Sequence, residues 1–185
     1  MKPKAEQEHI GSKRLTEIVF ILDRTGAMSD LEEDTIGGFN AILQKQLIGE
    51  GTVTLTTVLF DNEIELLHDR LPIEAVEPLT DHDYVVGGMT ALMDAVGFAI
   101  QKIDKVQNKV KKSMRSDKVL FVITTDGMEN SSRKYSSQQI KALIQGRKEL
   151  GWEFLFLGAN IDVEEFAHSI GISEEHTVEF IADEQ

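Results

Sequence analysis

With 185 residues, 41% of them hydrophobic and 28% charged, the chain has the size and make-up of one globular domain with a sizeable core. Nineteen basic against 32 acidic residues leave a formal charge of −13, a field that disfavours non-specific binding to nucleic acid or to an anionic membrane surface. The absence of cysteine excludes disulfides, thiolate metal sites and cysteine nucleophiles, and fits a reducing, cytoplasmic setting.

Residues 1–14 are polar and charged and predict a flexible N-terminal tail, without the apolar segment that a signal peptide needs. Residues 15–185 predict a single domain, with no apolar run long enough to cross a bilayer. Ile18 to Leu22 are five consecutive apolar residues, which read as a strand buried on both faces. The run stops at Asp23, with Thr25 and Gly26 close behind, and Ser29-x-x-Glu32 has the form of a capping box. Leu31, Thr35, Phe39, Ile42, Leu43 and Leu47 then predict one apolar stripe on a helix over 30–48, ended by Gly49 and Gly51. Thr52–Phe60 is β-branched and apolar, a strand. Asp61-Asn62 is turn chemistry, and Glu63–His68 returns antiparallel as a short edge strand. Residues 69–86 read as a loop with one short helix.

Gly87-Gly88 marks a turn, after which Leu92, Ala95, Val96, Ala99, Ile100, Ile103 and Val106 recur at helical spacing. The basic stretch Lys109–Lys118 reads as a solvated helix end and loop. Val119–Ile123 is a second doubly buried strand, running into Thr124-Thr125-Asp126-Gly127. Ser136-x-x-Gln139 opens a helix that turns Ile140, Leu143, Ile144 and Leu150 inward. Trp152–Leu157 is a strand, Asp162-x-x-Glu165 caps a short helix, and Thr177–Ile181 is a last strand. Strands alternating with helices predict an α/β domain: a Rossmann-like open sheet of about six strands, mainly parallel with one antiparallel edge strand, and helices on both faces.

Three pieces of the chain share one form, a buried strand or glycine turn leading to a short oxygen-bearing side chain. They are Asp23-x-Thr25, Gly88-Met89-Thr90 and Thr125-Asp126-Gly127. Carboxylate and hydroxyl oxygens without His or Cys are hard ligands, suited to Mg²⁺, Mn²⁺ or Ca²⁺ rather than zinc. Asp23 by itself reads as an acceptor for turn amides; together with Thr90 and Asp126 it reads as a ligand. Asp94 is either an outer partner of the site or an acid favoured by a helix N-terminus. Met28 suits the core, while Met89 and Met128 suit an adaptable contact surface. Glu129 and Asn130 read as rim or turn formers, and histidines 9, 68, 82, 168 and 176 as surface residues without ligand spacing.

In order, the three pieces resemble the metal-ion-dependent adhesion site of the von Willebrand factor A family. That site is written Asp-x-Ser-x-Ser, then a threonine, then an aspartate, on separate loops at the top of the sheet. Here it stands as Asp23-Arg24-Thr25-Gly26-Ala27-Met28, Thr90 within GGMTALMDA, and Asp126 within ITTDGMEN. The resemblance covers nearly the whole chain and implies an ion held by Asp23, Thr25, Thr90 and Asp126, with one position left for an Asp or Glu of a protein partner. Thr25 keeps the hydroxyl of the first serine, whereas Ala27 removes the oxygen of the second, which implies a weakly bound ion. The expected function is a protein-interaction module and not an enzyme. A metal-free, degenerate scaffold is the next reading. A Mg²⁺-dependent hydrolase comes last, for want of a phosphate-cradling Gly-Lys loop and of an evident general base.

Overall fold

The apolar pentad Ile18–Leu22 lies inside β1 (Leu15–Asp23) and is buried on both faces. The computed structural model describes residues 14–126, 129–159 and 162–179. Around β1 the sheet has the strand order β3-β2-β1-β4-β5-β6. β2 (Thr52–Phe60) and β4 (Lys118–Thr125) flank β1 in parallel, β5 (Glu153–Gly158) follows β4, and β6 (Thr177–Glu179) closes one edge, also in parallel. β3 (Ile64–Pro72) closes the other edge antiparallel to β2. The expected six-strand, mainly parallel sheet with one antiparallel edge is therefore present.

Among the described residues four helices, α1 (Glu32–Ile48), α2 (Leu92–Lys109), α3 (Ser137–Glu149) and α4 (Val163–Ser169), cover the sheet. The period-two alternation of β1 divides the core. Val19 and Ile21 pack with α2, α3 and α4, whereas Ile18, Phe20 and Leu22 pack with Phe39 and Leu43 of α1 and with the segment after β3. Both faces of the parallel sheet are thus covered, as βαβ crossovers require.

Several local expectations need correction. Ser29 does not cap α1: the helix begins at Glu32 with Leu31 at its N-cap, because Gly26–Met28 form a 3₁₀ turn and Asp30 takes a left-handed conformation at φ 73°. Negative charge from Glu32, Glu33 and Asp34 complements the helix start instead. Leu47 and Leu150 are exposed rather than inward, each lying at the C-terminal end of its helix. Val106 is only half-buried, and Gln107 takes the inward place through bonds to Ser116. The edge strand continues to Pro72, beyond His68, and a 3₁₀ turn follows at Ile73–Ala75. His68 is not a surface residue: it is half-buried, bonded to Thr57 Oγ1 at 2.8 Å and stacked on Phe39. The Ser136–Gln139 capping box forms with both of its hydrogen bonds. The tail through residue 13, Met128, and the continuation of β6 to Ile181 lie outside the described residues.

Candidate functional site

Asp23 is the last residue of β1 and is fully buried. Its carboxylate is held from two sides. Oδ1 accepts from the Thr25 amide at 2.8 Å, and Oδ2 accepts from the Thr125 hydroxyl at 2.7 Å. Thr125 ends β4, the parallel neighbour of β1, so the sheet register itself delivers that hydroxyl. The Asp23 carbonyl accepts from the buried Tyr84 hydroxyl. Burial pushes the Asp23 carboxyl above its usual range, the hydrogen bonds from Thr25 and Thr125 oppose that shift, and the neighbouring charge of Asp126 adds to it. Burial and the nearby Asp23 charge raise the Tyr84 phenol likewise, so it stays a neutral donor.

Thr25 sits at the turn after the strand, and its hydroxyl, like that of Ser131 in the loop after Asp126, is a buried polar atom left without a well-formed bond. It lies near enough to help hold the Asp23 carboxylate ionised, yet Oγ1 is buried without a well-formed hydrogen bond. An orphaned buried hydroxyl is uncommon and marks a place where a further partner fits. Ala27, in the 3₁₀ turn that follows, is exposed.

Arg24 is turned away from the acids of the site. Its guanidinium pairs with Glu65 and lies 3.4 Å from Asp61 Oδ2. Its backbone ties the first loop to two others, since its amide donates to the Phe60 carbonyl at 2.8 Å and its carbonyl accepts from the Gly87 amide at 2.8 Å. Gly88 then packs against Asp61 and Asn62 at φ 85°. A Cβ there would stand 2.7 Å from Asn62 Oδ1, so the turn needs glycine both for its dihedral and for its close approach.

Thr90 is buried just ahead of α2 and is fixed through its backbone. Its amide donates to Asn130 Oδ1 at 2.8 Å, and its carbonyl accepts from the amides of Asn130 and Ser131 at 3.0 Å each. Asp126, just after β4, is buried. The structure therefore brings Asp23 and Thr25 together directly, sets Asp126 near enough for its charge to act on Asp23, and ties Thr90 to the same end of the sheet through the loop after Asp126 and the Gly26–Gly88 backbone bond.

The four rim candidates separate. Glu129 is a helix-capping acid: it accepts from the Met93 amide at 3.1 Å and from Ser132 through amide and hydroxyl, and so docks its loop on the start of α2. Asp94 organises the next stretch, accepting from the amides of Arg133, Lys134 and Tyr135 at 2.8–3.0 Å. Met89 is exposed, as a contact residue would be, and Met128 lies outside the described residues. Tyr84 and Ser132 are site-building residues that the sequence reading did not single out, while Thr125 and Asn130, read there as part of a motif and as a rim or turn former, hold Asp23 and Thr90 by hydrogen bonds. Thr124-Thr125 was the available signal, since two hydroxyls at the carboxyl end of an otherwise apolar strand mark the point where the strand leaves the core for the site.

Carboxylate and hydroxyl oxygens make up the donor set, which fits a hard divalent cation. Among the described residues, no three His, Asp or Glu side chains are grouped as metal ligands, so an ion here would depend on the hydroxyls and on water.

No family profile matches the chain, and no curated protein matches it in sequence. Solved structures do match. The von Willebrand factor domain of the type V pilus tip protein Mfa5 from Porphyromonas gingivalis aligns at TM-score 0.63 and 10% identity, over 92% of this chain and 91% of that one. The PilB minor pilin of Streptococcus sanguinis (a D319A mutant) aligns at 0.60 and 12%, over 96% and 59%. Proximal thread matrix protein 1 from the mussel byssus aligns at 0.59 and 14%, over 91% of this chain and 42% of that one, so the chain spans under half of the mussel protein. The fold is that of a von Willebrand factor A-like domain.

Proposed function

We propose that the chain is a protein-binding module, and not an enzyme, which holds a weakly bound Mg²⁺ or Mn²⁺ at the carboxyl end of its sheet and there receives an Asp or Glu of a protein partner. The observation that carries this is the buried Thr25 hydroxyl, without a well-formed hydrogen bond, beside an Asp23 carboxylate whose charge is opposed by that of Asp126. A divalent cation would relieve that repulsion and complete the hydroxyl. Asp23 is pre-oriented by Thr125 and by the Thr25 amide, and each of its oxygens keeps a lone pair beyond the bond it already accepts. Thr90 and Asp126 would supply the remaining protein oxygens. When bound, the ion supplies a Lewis-acidic position for an incoming carboxylate.

Among the described residues, the histidines do not form a nucleophile–base pair with these acids. Among the described histidines, His68 bonds Thr57 and His176 bonds Ser173, while His82 and His168 are exposed. No helix among the described residues is long and apolar enough to cross a membrane. Similar structures include a pilus tip protein, a minor pilin and a thread matrix protein, names that accord with an interaction role.

Thermal melting at increasing Mg²⁺ or Mn²⁺ tests the reading. An ion that binds only the folded state adds about 2.7 kcal/mol at a hundredfold excess over Kd. For a domain of this size that is a rise of roughly 5–10 °C. Ala27→Ser, which restores an oxygen at the exposed turn, should respond at about tenfold lower metal, the equivalent of ~1.4 kcal/mol. Asp23→Ala should not respond. If neither wild type nor Ala27→Ser shifts at millimolar metal, the metal-free scaffold reading replaces this one.

A further inference from the structure

Along α2, from Asp94 to Lys109, runs a groove of about 600 Å³ whose largely basic rim opposes the net charge of the molecule. Its apolar floor is Ile64, Phe98, Val106 and Tyr135, and its rim carries Lys102, Lys105, Lys109 and Lys134. Lys102, Lys105 and Lys109 recur at helical spacing and so share one side of α2. Phe98 is 38% exposed, an aromatic left in water between these cations.

The groove wall is built in. The Tyr135 ring lies against α2 at Gly97, where a Cβ would stand 2.4 Å from Cε2 of the ring. Asp94 holds the backbone of Arg133, Lys134 and Tyr135 through three hydrogen bonds, which fixes both the ring and the Lys134 side of the rim. Asp94 is the acid that lines the groove. Asp94 is used by those amides, and Asp69 pairs with Lys102 at 2.7 Å.

We infer that this groove is a docking surface for an acidic segment of a protein partner carrying apolar anchor residues. The apolar floor takes the anchors and the lysine rim takes the flanking carboxylates. The formal charge of −13 opposes an acidic partner at long range. At physiological salt, however, the Debye length is about 8 Å, so the lysines within a few ångströms dominate in the groove. From Lys102 to Lys109 the helix rises roughly 10 Å, the reach of about three extended residues, so a short segment spans the ladder. A free phosphate or polyphosphate fits less well. The rim offers flexible ammonium groups and no bidentate arginine, and an apolar floor contributes nothing to such an ion. Nothing in this inference depends on a metal at the sheet end.

The test is fluorescence anisotropy of the full chain in EDTA, with a fluorescein-labelled peptide of sequence Glu-Glu-Phe-Glu-Glu-Leu-Glu-Glu. Saturable binding is expected. It should weaken about five- to tenfold in Lys105→Glu/Lys109→Glu, since each reversal replaces an attraction by a repulsion. It should also weaken in Gly97→Ala, which displaces the Tyr135 ring, and when Phe and Leu of the peptide are replaced by Ser. Unchanged melting of the lysine double variant would show that the loss is not unfolding. Absence of binding by the wild type, or binding that survives the double charge reversal, would overturn the inference. Equal binding of the Ser-substituted peptide, or full competition by inorganic polyphosphate, would overturn it too, by reducing the groove to a plain anion patch.

Discussion

Asp23 stands where a carboxylate lowers the stability of the protein. Burial raises its folded pKa above the ordinary value of 3.8, so the protonated form is favoured by the fold. The stability this linkage contributes is fully present below the unfolded value and is lost as pH rises through the folded one, which leaves an ionised Asp23 unfavourable at neutral pH. Asn fits the same position, since its carbonyl can accept from the Thr25 amide and its amide can donate to the Thr125 hydroxyl. Asp23→Asn is therefore expected to raise the metal-free melting temperature at pH 7 by about 2–4 °C, the shift that about 1 kcal/mol produces in a domain of this size. The same change should abolish the response to Mn²⁺. A variant that melts lower without metal, or keeps its metal response, would show that Asp23 serves the fold and not a ligand. Residues that give up stability in this way are expected at functional sites.

At the scale of elements, β3 is where the sequence was least informative. The stretch after His68, without strong periodicity, reads as loop, yet the strand runs to Pro72, where Arg70 fastens it from outside the local pattern. Arg70 takes a left-handed φ of 46°, beside irregular pairing with β2, and its guanidinium grips the buried Glu17 of β1 through two bonds of 2.9 Å. A pair 53 positions apart in sequence leaves no local signature. Arg70→Ala should therefore destabilise the protein by about 3 kcal/mol in urea denaturation, the low end for a broken buried pair because Arg70 itself is partly solvated. A loss under about 1 kcal/mol would contradict that role. β1, β4 and the Ser136–Gln139 box were legible because their signals are local: continuous apolar runs, and a hydroxyl three residues from an amide side chain. The site was legible in its acids and threonines, and in Asn130 as a rim or turn former, but not in Tyr84, which is joined to it only by the folded loops. His68, also on β3, gives a pH signature. Burial lowers its pKa from 6.5 while Asp83 partly opposes the shift, so its contribution is present above 6.5 and is lost as pH falls through the folded value. Melting temperature should fall from pH 7 toward 5, and less steeply in His68→Gln. An unchanged slope in that variant would assign the acid sensitivity elsewhere.

For the whole molecule, the sheet order places the ends of β1 and β4 side by side at the centre, and the loops from β2 and before α2 close over them. That arrangement gives the oxygen cluster its position irrespective of what it binds. The formal charge of −13 also means that divalent ions will gather loosely on much of the surface, so a bulk affinity cannot by itself locate a site. Location is what the central claim concerns. The most direct measurement is the amide NMR spectrum titrated with substoichiometric Mn²⁺, whose paramagnetism broadens only nearby resonances. The signals of Thr25, Gly26, Thr90 and Asp126 should be lost first, with the loss reversed by EDTA and absent in Asp23→Ala. Broadening that begins instead at exposed acids such as Glu174 and Glu175, or that survives Asp23→Ala unchanged, would contradict it.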